Sequence, residues 1–556
     1  MGALQFALVF VAGIAHASSI AWPFGFFSGV GLAQGQPVWW LHLLAMALLA
    51  RQLDQAKTKR QGALVGWLFA TVMQVATWWW LFISLHTYGG LAAPLAVLAI
   101  VGLAAFLALY YAGAFALFSA IAPVNIAGRA ILFAALWLLA ELLRVALFTG
   151  FPWGQGGYAQ LDGPFADLAK VIGVHGLTFG IALLAAGSVA AAIKPGWFSR
   201  VAVVACVAMA AGASLLLKVN QAGESRFTSA VQAPADASGS PQSLPLPSPS
   251  PPPLPSPPFT VTLLQGNIAQ DQKFQPTGGL PDALNWYGQQ LLAATTTLVV
   301  TPETAIPLLP YQLPEGYLDA LVNRFVKPPS GSVPTAALIG LPLGSSEQGY
   351  TNSAIALKPS TANAIYQYDK HHLVPFGEFV HPMFKWFLAM VNIPLSDFNR
   401  GGLEQPSFVW QGQRIAPNIC YEDLFGEELA ARFIDPASAP TMMVNISNIA
   451  WFGNTIAIDQ HLNISRMRAI EFERPMVRAT NTGATAIIDH TGRVTHLLPR
   501  HTRGVLVGQV EGKSGVTPYA WWAARFGLWP WWGLIFTIVL IAAYARIYWS
   551  RPRFDR

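Results

Sequence analysis

The chain has 556 residues, 53% of them hydrophobic and 11% charged, with a mean hydropathy of +0.43. Soluble globular proteins carry about 25% charged residues, so a single water-soluble domain is excluded. The net charge of +6 is not a nucleic-acid footprint, because Lys and Arg sit in short loops between apolar segments and form no stripe.

A bilayer is spanned by about 20 apolar residues. Such stretches occur at 3–20, 37–51, 63–86, 91–122, 129–149, 166–192, 199–217 and 527–546, which predicts an α-helical membrane domain of about eight spans. Residues 18–36 are apolar and Gly-rich and read as a loop or a re-entrant piece. Ala15-His16-Ala17 has the form of a signal-peptidase site. No Lys or Arg precedes it and more apolar segments follow, so the first stretch reads as a retained span. Arg51, Lys57, Lys59, Arg60, Arg129, Lys194, Arg200, Arg546, Arg551, Arg553 and Arg556 fall in alternate loops, against Arg144 and Lys218 in the others. This asymmetry predicts cytoplasmic termini and a large domain on the opposite side. The expected division is 1–218 for spans one to seven, 219–258 for a Pro/Ser-rich linker, 259–513 for an α/β domain, and 514–556 for the last span and a basic tail. Eleven prolines between Pro234 and Pro258 favour extended polyproline II, a semi-rigid spacer.

From Phe259 onward, short apolar runs alternate with helical patterns. Strands are expected at 259–265, 298–301, 336–341, 353–357, 415–419, 442–446, 477–480, 484–488 and 505–510, and helices at 281–294, 315–325, 422–434 and 455–472. Ligands of α/β proteins bind beyond the carboxyl ends of strands, and three reactive residues fall there. Glu303 follows the strand LVV, Cys420 ends IAPNIC, and Lys370 ends IYQYDK. A thiol attacks a carbonyl as thiolate; a carboxylate can take its proton, and an ammonium can stabilise the oxyanion. Singly, each has a bland reading: Cys420 as a small buried hydrophobe, Glu303 as a cap, Lys370 as a solvated loop residue. Cys206 lies in an apolar run far from Cys420, so the two make no disulfide framework. His371, His372, His381 and His461 match no metal-ligand spacing, and no metal or other cofactor is expected.

The segments TPETAIP, YDKHHLVPFGEF, PNICYEDLFG, ISNIAWFG and RMRAIEFERPMVRATNTG, with FPWGQGGYAQLDGP at 151–164, resemble in order the motifs of the nitrilase (carbon-nitrogen hydrolase) superfamily. Within it they resemble the bacterial apolipoprotein N-acyltransferases. The resemblance implies an α-β-β-α sandwich and a Glu-Lys-Cys triad of Glu303, Lys370 and Cys420. It also implies supporting or substrate-binding roles for Glu378, Tyr421, Glu422, Trp451, Phe274 and Trp153. The chain departs from the family pattern at Ile449, where Asp is usual, and at Phe274, where Trp is usual.

The same resemblance implies ping-pong acyl transfer. Cys420 takes an acyl chain from a phospholipid as a thioester, and the α-amine of a diacylglyceryl-cysteine at a lipoprotein N-terminus then receives it. The expected place is the bacterial inner (cytoplasmic) membrane, with the catalytic domain on the periplasmic side and no nucleic-acid partner. The alternative is a membrane-tethered amidase or nitrilase acting on a small soluble substrate, although eight spans exceed the anchor such an enzyme needs. A transporter is disfavoured because few ionisable residues (Glu141, Arg144, Lys170) fall near the spans and no inverted repeat is evident.

Overall fold

The computed structural model describes residues 1–193, 259–360, 365–380 and 397–549. The expected span at 199–217, the linker 219–258, Cys206, His381 and the tail beyond 549 lie outside the described residues.

Among the described residues, six helices form the N-terminal bundle: α1 (Ala3–Ile20), α2 (Trp39–Asp54), α3 (Lys59–Trp78), α4 (Ala93–Ile121), α5 (Ile126–Ala146) and α6 (Ala169–Ile193). Five helical stretches among the described residues are long and apolar enough to cross a membrane: Ala3–Ile20, Ala93–Ile121, Ile126–Thr149, Ala166–Ala192 and Trp529–Tyr548. The helix α2 has 16 residues, and α3 carries Lys59, Arg60, Gln61 and Gln74 among its apolar side chains. The stretch expected to continue α3 to residue 86 instead turns and forms a π-helical segment, Ile83–Tyr88. Residues 18–36 hold the end of α1 and a loop with one 3₁₀ turn, Gly25–Val30. Large side chains such as Phe6, Val11, Leu98, Phe536 and Ile541 are exposed on the outside of these helices. In water such a surface would be unstable; against lipid tails it is the solvated face.

The second part is built on two six-stranded sheets, ordered β12-β1-β2-β3-β4-β5 and β11-β10-β9-β8-β7-β6. The first sheet contains β1 (Phe259–Gln265), β2 (Leu298–Val300), β3 (Ala336–Ser345), β4 (Gly349–Leu357), β5 (Tyr366–Asp369) and β12 (Gly504–Val510). The second contains β6 (Phe408–Trp410), β7 (Gln413–Ile419), β8 (Met442–Ser447), β9 (Met476–Thr480), β10 (Ala486–Ile488) and β11 (Val494–Leu497). Strand periodicity explains the layering. Val261, Leu263, Leu298, Val300, Ala336 and Leu338 meet the second sheet's Ile415, Ile419, Val444 and Ile446 in one core. The intervening Leu264, Val299, Ala337 and Ile339 face outward under α7 (Gly279–Ala293) and α8 (Tyr317–Phe325). On the other side α9 (Ala457–Phe472) and α10 (Pro518–Phe526) cover the second sheet, which completes the α-β-β-α order. The final helix, α11 (Trp529–Trp549), returns to the bundle and packs on α5.

Two expectations need correction. The helix predicted at 422–434 is a run of single turns, Cys420–Leu424, Gly426–Leu429 and Ala430–Phe433. The Glu422 carboxylate turns back to accept from the Ile419 N–H at 2.6 Å, and Phe425 has non-helical dihedrals, so no continuous ladder forms. The strands β5, β6 and β11 were not expected; all three lie at sheet edges.

Candidate active site

Strand ends place the reactive groups. The chain leaves β2 through Thr301-Pro302 into the turn bearing Glu303, and this turn lies directly on β3 at Gly340. A Cβ on Gly340 would meet the Pro302 carbonyl and come within 3.0 Å of the Glu303 Cα, so no other residue allows that approach. Lys370 follows β5. Cys420 follows β7 with φ of +54°, a left-handed conformation that costs a non-glycine residue about 1–2 kcal/mol. The neighbouring structure holds it there: the Cys420 carbonyl accepts from the Asn445 amide at 3.3 Å and from His461 Nε2 at 3.1 Å. Arg478 donates to His461 Nδ1 at 3.0 Å, which leaves the ring proton on Nε2.

Glu303, Lys370 and Cys420, scattered in sequence, line one cavity of about 800 Å³. Lys370 is fully buried. Its Nζ lies 3.1 Å from Glu303 Oε1 and 2.8 Å from Glu378 Oε2. The Asn352 amide donates to both carboxylates, at 2.7 Å to Glu303 and 2.6 Å to Glu378. Glu303 Oε2 accepts from the Asn448 N–H at 2.8 Å, and Glu378 Oε2 from the Val374 N–H at 2.9 Å.

These contacts set the resting charges. Burial would raise the Glu303 carboxyl, but Lys370, the Asn352 amide and Lys273 outweigh it and hold Glu303 below its ordinary range. Burial works against the Lys370 ammonium, yet Glu303 and Glu378 raise it overall. Burial, then the Glu303 charge, pushes the Cys420 thiol up to about 12, against Lys370 and the Ser447 hydroxyl. The resting site therefore holds a thiol, an ionised carboxylate and an ammonium. A thiol beside an ionised carboxylate can attack a carbonyl only if its proton is transferred as it does so.

Of the residues expected in support, Glu378, Tyr421, Trp451, Phe274 and Trp153 line the same cavity. Tyr421 donates its hydroxyl to the Gly150 carbonyl at 3.0 Å. Trp153 stacks on His461, centroids 5.5 Å apart, and donates to Gln460 at 2.8 Å. The Trp451 ring meets Tyr88 edge-on at 5.7 Å. Glu422 is placed differently. It lies behind the site, accepting from the N–H groups of Ile419 and His371 and from the Tyr368 hydroxyl, and so ties the segment before Cys420 to the one after Lys370. Ile449 is buried among Trp80, Trp153 and Ile456 and also lines the cavity. Sequence reasoning missed Lys273, Asn352 and Asn448. Asn352, flanked by Thr351 and Ser353 just before the expected strand at 353–357, carried no signal of its own.

The far wall of the cavity comes from the bundle: Leu81 and Leu85 after α3, Leu103 and Phe106 on α4, and Leu147 and Phe148 after α5. The reactive groups thus stand at the polar end of a mainly apolar recess shared by both parts of the chain.

Comparison with known proteins covers both parts. Residues 6–187 match the apolipoprotein N-acyltransferase N-terminal domain, and residues 260–519 match the carbon-nitrogen hydrolase family. An apolipoprotein N-acyltransferase of Verminephrobacter eiseniae is 54% identical over 95% of this chain and 94% of its own length. Those of Ralstonia nicotianae and Bordetella bronchiseptica are 42% and 40% identical, over 91% and 99% of this chain and 89% and 98% of theirs.

Proposed function

The chain belongs to the apolipoprotein N-acyltransferase family, and from that premise we propose that Cys420 carries an acyl chain from a membrane phospholipid to the α-amine of a lipoprotein's N-terminal diacylglyceryl-cysteine. The protein is a membrane-associated N-acyltransferase of the carbon-nitrogen hydrolase superfamily acting on lipoproteins. The observation that carries the fuller reading is the recess whose polar end holds Cys420, Glu303 and Lys370 and whose apolar wall is made by bundle helices. A small soluble substrate has no use for that wall; an acyl chain does.

In this reading Glu303 takes the proton from Sγ as the thiolate attacks the donor ester, and Lys370 stabilises the resulting oxyanion. The lysophospholipid alkoxide leaves with the proton from Glu303, and the thioester stays on Cys420. The acceptor amine then attacks the thioester, Glu303 removes its proton, the C–S bond breaks as the amide forms, and Glu303 returns the proton to Sγ. Glu378 holds Lys370 in place, while Tyr421, Trp451, Phe274 and Trp153 shape the recess. The test is to incubate the detergent-purified protein with phospholipid carrying a labelled acyl chain. A hydroxylamine-sensitive acyl mass on the Cys420 peptide is expected; its absence under conditions of turnover removes the covalent route.

The proposed setting is the inner membrane, crossed by eight helices, with both termini cytoplasmic and the catalytic domain periplasmic. The Lys and Arg asymmetry between alternate loops supports it. A reporter inserted in an exposed loop between residues 260 and 510 is expected to behave as exported, and one fused after Arg556 as cytoplasmic. The reverse at either site means that an odd number of spans is wrong.

A further inference from the structure

The site contains one charge that this mechanism leaves unused. Lys273 sits in the loop after β1 and is 3% exposed. Its Nζ donates to the Glu303 backbone carbonyl at 3.2 Å, stands 5.9 Å from the Phe274 ring centroid, and lines the cavity that holds Cys420. An ammonium is costly to bury without a matching negative charge. Burial draws Lys273 down to about 8, and Glu303 and Cys420 draw it back up, so it remains mostly protonated at neutral pH.

Counting the groups around the cavity explains why a cation is kept there. Glu303 and Glu378 contribute two negative charges and Lys370 one positive charge. Tyr421 and His461 are neutral: burial holds the phenol protonated and the imidazole unprotonated. Arg478 also responds to Cys420, but it is matched by Asp423 at 3.2 Å. Glu422, behind the site, can only add negative charge. Lys273 is the fourth charge, and it brings the cavity lining to neutrality.

We propose that Lys273 is the charge-balancing cation of the acyl-transfer site, matching the negative charge as it moves from Glu303 to Cys420 Sγ and on to the substrate oxygen. The proposal rests on the reading of Cys420 as nucleophile and Glu303 as base. When the proton passes from Sγ to Glu303, the net charge of the lining is unchanged. The combined charge of lining and substrate stays unchanged when the C–S bond forms and the negative charge passes to the substrate oxygen, and again when the C–O bond breaks and Glu303 returns the proton to the leaving alkoxide. Without Lys273 each of these states carries one uncompensated negative charge in a buried site, and the thiolate is disfavoured most directly.

The test compares Lys273→Gln with Lys273→Arg. Glutamine keeps a donor for the Glu303 carbonyl but loses the charge; arginine keeps the charge. Two readouts are taken on the Cys420 peptide by mass spectrometry: the rate of acyl-adduct formation from labelled phospholipid, and alkylation by iodoacetamide as a function of pH. A nearby opposite charge moves a pKa by about 1–3 units. Lys273→Gln is therefore expected to displace the alkylation profile upward by about one pH unit or more and to slow adduct formation at least about tenfold. Lys273→Arg should stay within a few-fold of wild type on both. Wild-type behaviour of Lys273→Gln, or equal impairment of the arginine variant, overturns the proposal. Thermal unfolding in detergent first matches each variant to wild type; if Lys273→Gln is unfolded, Lys273→Met is read in the same way. An adduct that survives in Cys420→Ala sinks the nucleophile reading itself, a failure distinct from a normal rate in Lys273→Gln.

Discussion

Replacing Cys420 with alanine is expected to abolish acyl-adduct formation and N-acyl transfer while leaving the fold intact. Alanine keeps the Cβ, so the left-handed backbone at this position, φ +54°, is neither relieved nor made worse, and the carbonyl contacts from Asn445 and His461 are untouched. Only the sulfur is lost. Removing the nucleophile of a covalent enzyme costs on the order of 10⁶ in kcat in a well-studied protease, so activity should fall to background. Cys420→Ser should be equally inactive. Burial and Glu303 already hold the thiol near 12, and an alcohol, a much weaker acid, is harder still for the same carboxylate to deprotonate. Thermal unfolding equal to wild type with no adduct supports the assignment; an adduct in Cys420→Ala moves the acyl group to another residue.

Glu303→Gln is expected to stop both half-reactions, and Lys370→Met to slow them severely. The glutamine side chain cannot accept a proton from Sγ. It also cannot match its surroundings, because Glu303 accepts from Lys370 and Asn352 on one oxygen and from the Asn448 N–H on the other, so an amide NH₂ must confront at least one of these donors. Lys370→Met leaves Glu303 and Glu378 sharing Asn352 with no cation between them, which favours protonation of one carboxylate and weakens the base. Loss of an oxyanion donor alone costs about 10²–10³ in rate, and the weakened base adds to it. Lys370→Arg should not restore the rate, because a planar guanidinium does not fit where a compact ammonium is fully buried between two carboxylates. Single-turnover thioester yield on Cys420 decides each case. A wild-type yield in Glu303→Gln removes the base from the mechanism, and one in Lys370→Met removes the cation.

The central strands were readable as short apolar runs, because residues such as Val261, Leu263 and Leu338 meet the facing sheet while their neighbours meet helices, so both faces are buried. The edge strands β5, β6 and β11 were not, since half of their backbone and many of their side chains face water and carry little apolar pattern. The turns after Cys420 were mistaken for a helix because EDLFGEELAARF has good helical composition; what breaks it is Glu422 bonding backward, which depends on the folded geometry. Glu303 and Cys420 could be picked out by position at strand ends and by motif, and Lys370 by the polar-aromatic run it ends and by motif. Lys273 could not: in QDQKFQP it is one polar residue among several, and only the fold reveals that it points inward.

The apolar cluster beneath the reactive groups draws Trp78, Trp80, Trp153 and Tyr158 from the bundle and its loops, and Tyr421, Phe425, Ile449 and Ile456 from the sheet domain. Neither half can be taken away without stripping the other of its inner surface. Expressed alone, the sheet domain would present these aromatic and aliphatic side chains to water and lose the floor under its own nucleophile, so truncation to a soluble fragment would yield an aggregating, inactive product. Cooperativity follows as well. Damage to a helix deep in the bilayer should be felt as a loss of turnover at the far end of the molecule, with every residue that handles the chemistry still present.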